Sequence, residues 1–391
     1  MSSFLREPVD FARHNEEVQA VITAYDQGRP IRVPFKAHGS ITNFFFNREL
    51  NTKHLSFEQF FKDPEVQIQA QLAYRHWCRH NLLCDQEMGM PREWNLNVDF
   101  QNSYDASWAG AEMIYIPGGL PDTKVLLEPK EKLYDMPKRI PVENGLIGVG
   151  IEFIDFMEAY CREHEFMDRP IRPPRAFLGE GCDGVFDLAY KLRGVENLLM
   201  DMMEDEEYYS DLMEWLTDNL IYRMTTLRKR HKERWGEEPG GFFFADDAIT
   251  MLSHDMYRQY VLPYHKRIFD AMSGGKKCGL HLCGANMQHF SGLVRELPIG
   301  ALDTGFPIDL GLLRRQVGPD VEISGGPTVM LAKDGSAQAL CREGERILRS
   351  GVMEGGKFIM ILANNMAPGT PVENIAALYE TVRRSGVYRT S

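Results

Sequence analysis

The sequence predicts an α/β fold, a (β/α)8 TIM barrel with a mostly helical N-terminal extension. Three observations carry this expectation. Short apolar runs alternate with helical segments through the later chain, the rhythm of a parallel sheet with helical crossovers. Seven or eight such units fit a closed barrel better than an open sheet. No Gly-rich dinucleotide fingerprint follows an early strand, which weakens a doubly wound alternative. The 391 residues leave room for one large barrel or two ordinary domains, and a hydrophobic content of 43% can fill a sizeable core.

Residues 1–109 read as a helical and irregular segment packed on the barrel, and residues 110–391 as the barrel itself. Asp63 and Pro64 make an N-cap and N1 pair, opening a helix expected to run to Gly89. The strand candidates are MIYIPGG (113–119), RAFLGEG (175–181), GFFFADD (241–247), CGLHLCG (278–284), ALDTG (301–305), VEISGG (321–326) and KFIMILANN (357–365). Helices are expected over 184–203, 206–235, 254–273, 285–297, 309–317, 336–350 and 371–386. Ser253 is the expected cap of the helix opened by HDMYRQY, and Thr370-Pro371-Val372-Glu373 has the form of a capping box.

A net charge of −12 argues against nucleic-acid and anionic-membrane partners, leaving a small molecule or another protein. No stretch approaches 18 uncharged apolar residues. The opening MSSFLREPVDFARHNEE lacks a basic region followed by an apolar one, so no signal peptide is read there. Seven cysteines without framework spacing suit a reducing cytoplasm.

In a barrel the chemistry gathers where strands end. The groups expected there are Glu180 with Cys182, Asp246 with Asp247, His281 with Cys283, Asp303, and Asn364 with Asn365. Asp and Asn also cap helices routinely, but His and Cys are poor caps. Strand side chains alternate faces, so His281 and Cys283 point one way and Cys278 the other, toward the core. An imidazole and a thiolate on one face are good zinc ligands; the plainer reading is a satisfied histidine beside a buried thiol. Asp246 and Asp247 are candidates for orienting substrate or moving protons. Phe244 is a candidate wall for a flat substrate. Tyr115 and His289 are weaker candidates, read first as core and helix-face residues.

FFFADDAITMLSHDMYRQYVLPYHKRIFDAM (242–272), HLCGANMQHF (281–290), ISGGPTVML (323–331) and ILANNMAPGTPVENIAALYETV (361–382) resemble the uroporphyrinogen decarboxylase superfamily. The likeness covers roughly 110–390 and is most specific around Pro368, Thr370-Pro371 and Glu373-Asn374. One branch of that superfamily holds metal-free tetrapyrrole decarboxylases, with an N-terminal Met-Arg-Gln-Ala-Gly-Arg motif. That motif is absent, and PREWNLNVDF (91–100) does not match it. The other branch comprises corrinoid-dependent methyltransferases, which hold zinc through His-x-Cys and a distant Cys. The resemblance implies His281 and Cys283 as the first two ligands; Asn364 stands where the third would fall. Glu180, Cys182 or Asp246 would then complete the site.

The resemblance thus implies a methyltransferase or demethylase. It would move a methyl group between a small substrate, such as an ether or amine, and a corrinoid on a separate carrier protein. Asp246, Asp247 and Asn364 are its expected catalytic residues, and Tyr115, Phe244, Asp303 and Asn365 its substrate contacts. A homo-oligomer is a further expectation. The alternatives are a metal-free carboxy-lyase, its acid clamped by Arg172, Arg175 and Arg193, and a binding protein without turnover.

Overall fold

The computed structural model describes residues 3–37 and 39–388 and is a (β/α)8 barrel. Five parallel strands form its regular sheet: β1 (Phe243–Ala245), β2 (Cys278–Leu282), β3 (Ile299–Thr304), β4 (Glu322–Gly325) and β5 (Phe358–Met360), side by side in chain order. Single parallel bridges extend it at both edges, Cys182 to Phe244 and Phe35 to Met360. Among the described residues no helix is long and apolar enough to cross a membrane.

The helices follow local chemistry. In α1 (Pro64–Asn81) the Asp63 carboxylate accepts from Glu65 N at 2.9 Å, and proline opens the first turn. The helix was expected to reach Gly89 but stops at Asn81. Four residues on, Asp85 is pulled away, accepting from Phe35 N at 2.7 Å and pairing with Arg32 at 2.6 Å. The expected 184–203 helix divides at Gly194 (φ +82°) into α2 (Val185–Arg193) and α3 (Val195–Glu204). Next, α4 (Glu206–Trp235) runs as expected and ends on left-handed Gly236. The expected 254–273 helix also divides, into α5 (His254–Tyr260) and α6 (Leu262–Met272). Pro263 has no N–H to bond back across the break. Ser253 caps α5 as expected.

Three further expectations need correction. Met113–Ile114 is no barrel strand; it pairs antiparallel with Asp122–Thr123 in a short hairpin. Segment 175–181 forms turns, with only Cys182 reaching the sheet. The Thr370 capping box does not form, because Pro371 takes the N-cap place and the Thr370 hydroxyl donates to Ala367 O at 2.8 Å. Ahead of the expected 109/110 boundary, Phe35 lies beside Met360 and Lys36 N donates to Met360 O.

Segment 94–99 makes no backbone hydrogen bond to segment 33–37 among the described residues. Two glutamines of α1 occupy its free edge instead. Gln71 exchanges bonds with both backbone groups of Asn97 at 2.7 and 3.1 Å, and Gln67 does the same with Asp99 at 2.7 and 3.2 Å. A sheet edge is thereby satisfied without another strand.

Candidate metal centre

Register builds the site. Across the sheet, Phe244, Leu280, Leu302, Ile323 and Phe358 form one row, each at most 1% exposed, facing the helices. The next row is Ala245, His281, Asp303 and Ser324, and by strand alternation it faces the interior. His281 and Asp303 are therefore neighbours. Their contact is a 2.9 Å hydrogen bond from His281 Nδ1 to Asp303 Oδ2. The other nitrogen, Nε2, lies 3.0 Å from Cys283 Sγ and 3.9 Å from Asp247 Oδ1.

Asp247 reaches the group from the loop after β1, its Oδ1 accepting from Cys283 N at 2.6 Å. Ligand atoms of Asp247, His281 and Cys283 all lie within 4.8 Å of one another. Asn364 completes the surroundings, its Nδ2 donating to Cys283 Sγ at 2.9 Å. Its backbone sits at φ +148°, a region L-residues rarely adopt, and Asn365 N donates to its Oδ1 at 2.6 Å. Gly305 lets the chain close over the site, since a Cβ there would lie 2.6 Å from Cys283 Cα. Burial opposes charge on His281, but its bonds to Asp303 and Cys283 win and hold it up to about 11.

The donor set fits zinc. It offers one nitrogen, one sulfur and one carboxylate, as catalytic sites with an open position do. A carboxylate on the second histidine nitrogen is the usual support of a metal-ligating imidazole.

Asp246 needs correction as a catalytic residue. It is fully buried, accepting from Phe186 N at 3.0 Å and Asp187 N at 2.8 Å to cap α2, with His265 Nε2 at 2.8 Å. Asp187 answers by accepting from Asp247 N at 3.0 Å and Ala248 N at 2.7 Å. The two carboxylates lock the loops after two neighbouring staves and so aim Asp247. Burial pushes His265 down to about 3, keeping it neutral, with its Nδ1 facing the Tyr257 hydroxyl at 3.1 Å. Asp187 was not singled out in the sequence; its place three residues after Gly184, in the first turn of α2, was the only available signal.

Other expected ligands and contacts lie elsewhere. Cys182 shares the helix-facing row of Phe244 and is buried near Arg223 and Asp105, away from Asp247, His281 and Cys283. Glu180 accepts from Phe177 N and pairs with His231 of α4, both at 2.8 Å. Phe244 packs on His265 and Phe269 of α6, so it walls no substrate pocket. Tyr115 sits by the 113–123 hairpin against Phe61, with Lys62 over its ring. Asp303 holds His281, and Asn365 is exposed beside Asn364. His289 is buried with Nε2 on Ile249 O at 3.0 Å, and Cys278 is a core thiol as expected. Arg193 is buried with Asp201, Arg172 pairs with Glu93, and Arg175 is exposed, so no clamp forms from them.

The family model described as Uroporphyrinogen decarboxylase (URO-D) matches residues 172–385. Curated uroporphyrinogen decarboxylases of Coxiella burnetii, strains Dugway 5J108-111 and RSA 493, are 27% identical over 142 residues. The match spans 35% of this chain and 38% of those relatives. Among solved structures, a methyltransferase from Methanosarcina mazei shares the fold with a TM-score of 0.63 at 15% identity. That likeness covers 94% of this chain and 98% of the other.

Proposed function

The chain belongs to the uroporphyrinogen decarboxylase (URO-D) family, and from that premise we propose a methyltransferase that moves a methyl group between a small ether or amine and a corrinoid on a separate carrier protein. The observation that carries the reading is the convergence of Asp247, His281 and Cys283 within 4.8 Å. The fold shared with a protein named a methyltransferase supports it.

His281 would give Nε2 to zinc while Asp303 holds Nδ1. Cys283 would give its sulfur, already flanked by the Asn364 amide, and Asp247 a carboxylate fixed by Cys283 N. Zinc held there would supply Lewis acidity to the oxygen or nitrogen bearing the methyl group. A carboxylate in place of a further thiolate donates less electron density to the metal, which favours demethylation of an ether or amine over activation of a thiol.

The test is elemental analysis of the zinc-reconstituted chain, followed by spectroscopic detection of methyl transfer to added cob(I)alamin from methyl ethers and methylamines. One equivalent of zinc is expected, lost in His281→Ala and Cys283→Ala. Zinc no higher in the wild type than in the double variant overturns the reading. The relatives' name favours a second reading, a metal-free carboxy-lyase. Release of carbon dioxide from an organic acid without zinc or corrinoid would establish it instead.

A further inference from the structure

We infer that the cleft between α1 and segment 94–99 is a separate ligand site for a small organic carboxylate, held by Arg75. The inference stands apart from the metal reading.

The cleft exists because two glutamines, rather than a strand, cover the edge of segment 94–99. It encloses a cavity of about 500 Å³, within the usual range for small-molecule sites. Segment 94–100 alternates strictly. Trp94, Leu96, Val98 and Phe100 are buried, while Asn95, Asn97 and Asp99 line the cavity. Ala37, Ile41 and Leu82 supply apolar wall for an organic body.

Arg75 is the anomaly. Each fully buried arginine faces a carboxylate or carbonyls: Arg32 pairs with Asp85 at 2.6 Å, Arg193 with Asp201 at 2.6 Å and Arg223 with Asp105 at 2.5 Å, while Arg314 donates to four backbone carbonyls. The half-buried Arg75 makes one hydrogen bond, Nη2 to Asn97 Oδ1 at 2.6 Å. Its Nε is buried with no hydrogen-bond partner among the described residues, and Asp99, the carboxylate whose charge acts on it, makes no ion pair with it there. The acidic groups nearby are committed. Glu87 pairs with Arg79, Glu93 pairs with Arg172, and one oxygen of Asp99 accepts two bonds from Gln101. Tyr74, 7% exposed, also lines the cavity, with its hydroxyl turned to Cys78 and Asn43. Leaving such a donor dry and unpaired is costly. A carboxylate fits the guanidinium fork with two parallel bonds.

The test is calorimetric titration of the full chain with benzoate, with benzamide and benzylammonium as uncharged and cationic controls. Saturable binding of benzoate is expected, with Kd raised about tenfold or more in Arg75→Met. His281→Ala should bind benzoate as the wild type does. Because Arg75→Met removes a large side chain, a second variant is needed. Asn97→Asp would place a carboxylate on Arg75 within the chain, so it should raise Tm and abolish benzoate binding. The inference is overturned by any of four results: no saturable benzoate binding, benzamide binding equal to benzoate, unchanged binding in Asn97→Asp, or loss of binding in His281→Ala.

Discussion

Nδ1 of His281 stands 2.9 Å from Oδ2 of Asp303, one strand over in the same row of the sheet. That bond leaves Nε2 aimed at Cys283 and Asp247. It makes Asp303 the support that orients the imidazole. Asp303→Asn should weaken zinc binding by about 10- to 100-fold, as loss of such support does elsewhere. Competition with a chromophoric chelator measures this; unchanged affinity would return Asp303 to a substrate role.

Proton release should accompany metal loading. In the metal-free chain, bonds to Asp303 and Cys283 outweigh burial and hold His281 up to about 11, so it carries a proton at neutral pH. A ligating imidazole must shed it. Apparent zinc affinity should therefore rise with pH, and titrations in buffers of different ionisation enthalpy should show at least one proton released. The same shift has a stability consequence. The folded value lies above the ordinary 6.5, so the folded state binds this proton more tightly. The stabilisation is complete below pH 6.5 and is lost as pH rises toward 11. The stability difference between wild type and His281→Ala, followed in urea without metal, should shrink over that range.

Asp246→Ala should act on folding rather than chemistry. It strands the amides of Phe186 and Asp187 and the ring of His265. A loss of about 3 kcal/mol is expected from these orphaned buried partners. Zinc bound per folded chain should stay near the wild-type value, apart from any drift of Asp247. A catalytic Asp246 would instead leave the urea midpoint almost unchanged.

Phe244→Ala separates a core role from a substrate role. The ring is fully buried against α6, so its removal should cost about 3–5 kcal/mol. Among folded molecules KM should be unaffected. A raised KM with normal stability would restore the substrate-wall reading.

Asn364→Gly should stabilise the chain by about 1 kcal/mol, because φ +148° then costs nothing. The same change removes the donor to Cys283 Sγ, so Cys283 should react faster with a thiol reagent. An unaltered thiol rate would show that the Asn364 amide does not guard the sulfur.

The sequence by itself determined the alternating fold, most helix limits and the same-face pairing of His281 with Cys283. These depend on short-range periodicity and capping, which neighbouring residues encode directly. Even failed expectations carried part of this logic: counting by twos from Phe244, once the register is known, turns Cys182, Phe244 and Asp246 toward the helices. What no local pattern could give was register between strands, because it depends on residues far apart in the chain. Only the tertiary structure decided that Asp303 lies beside His281, that Asp247 rather than Glu180 or Cys182 joins His281 and Cys283, and that Arg75 has no ion pair among the described residues. Each of these was settled by which segments lie next to each other, and adjacency in space is fixed by packing of the whole barrel, not by any stretch of the chain.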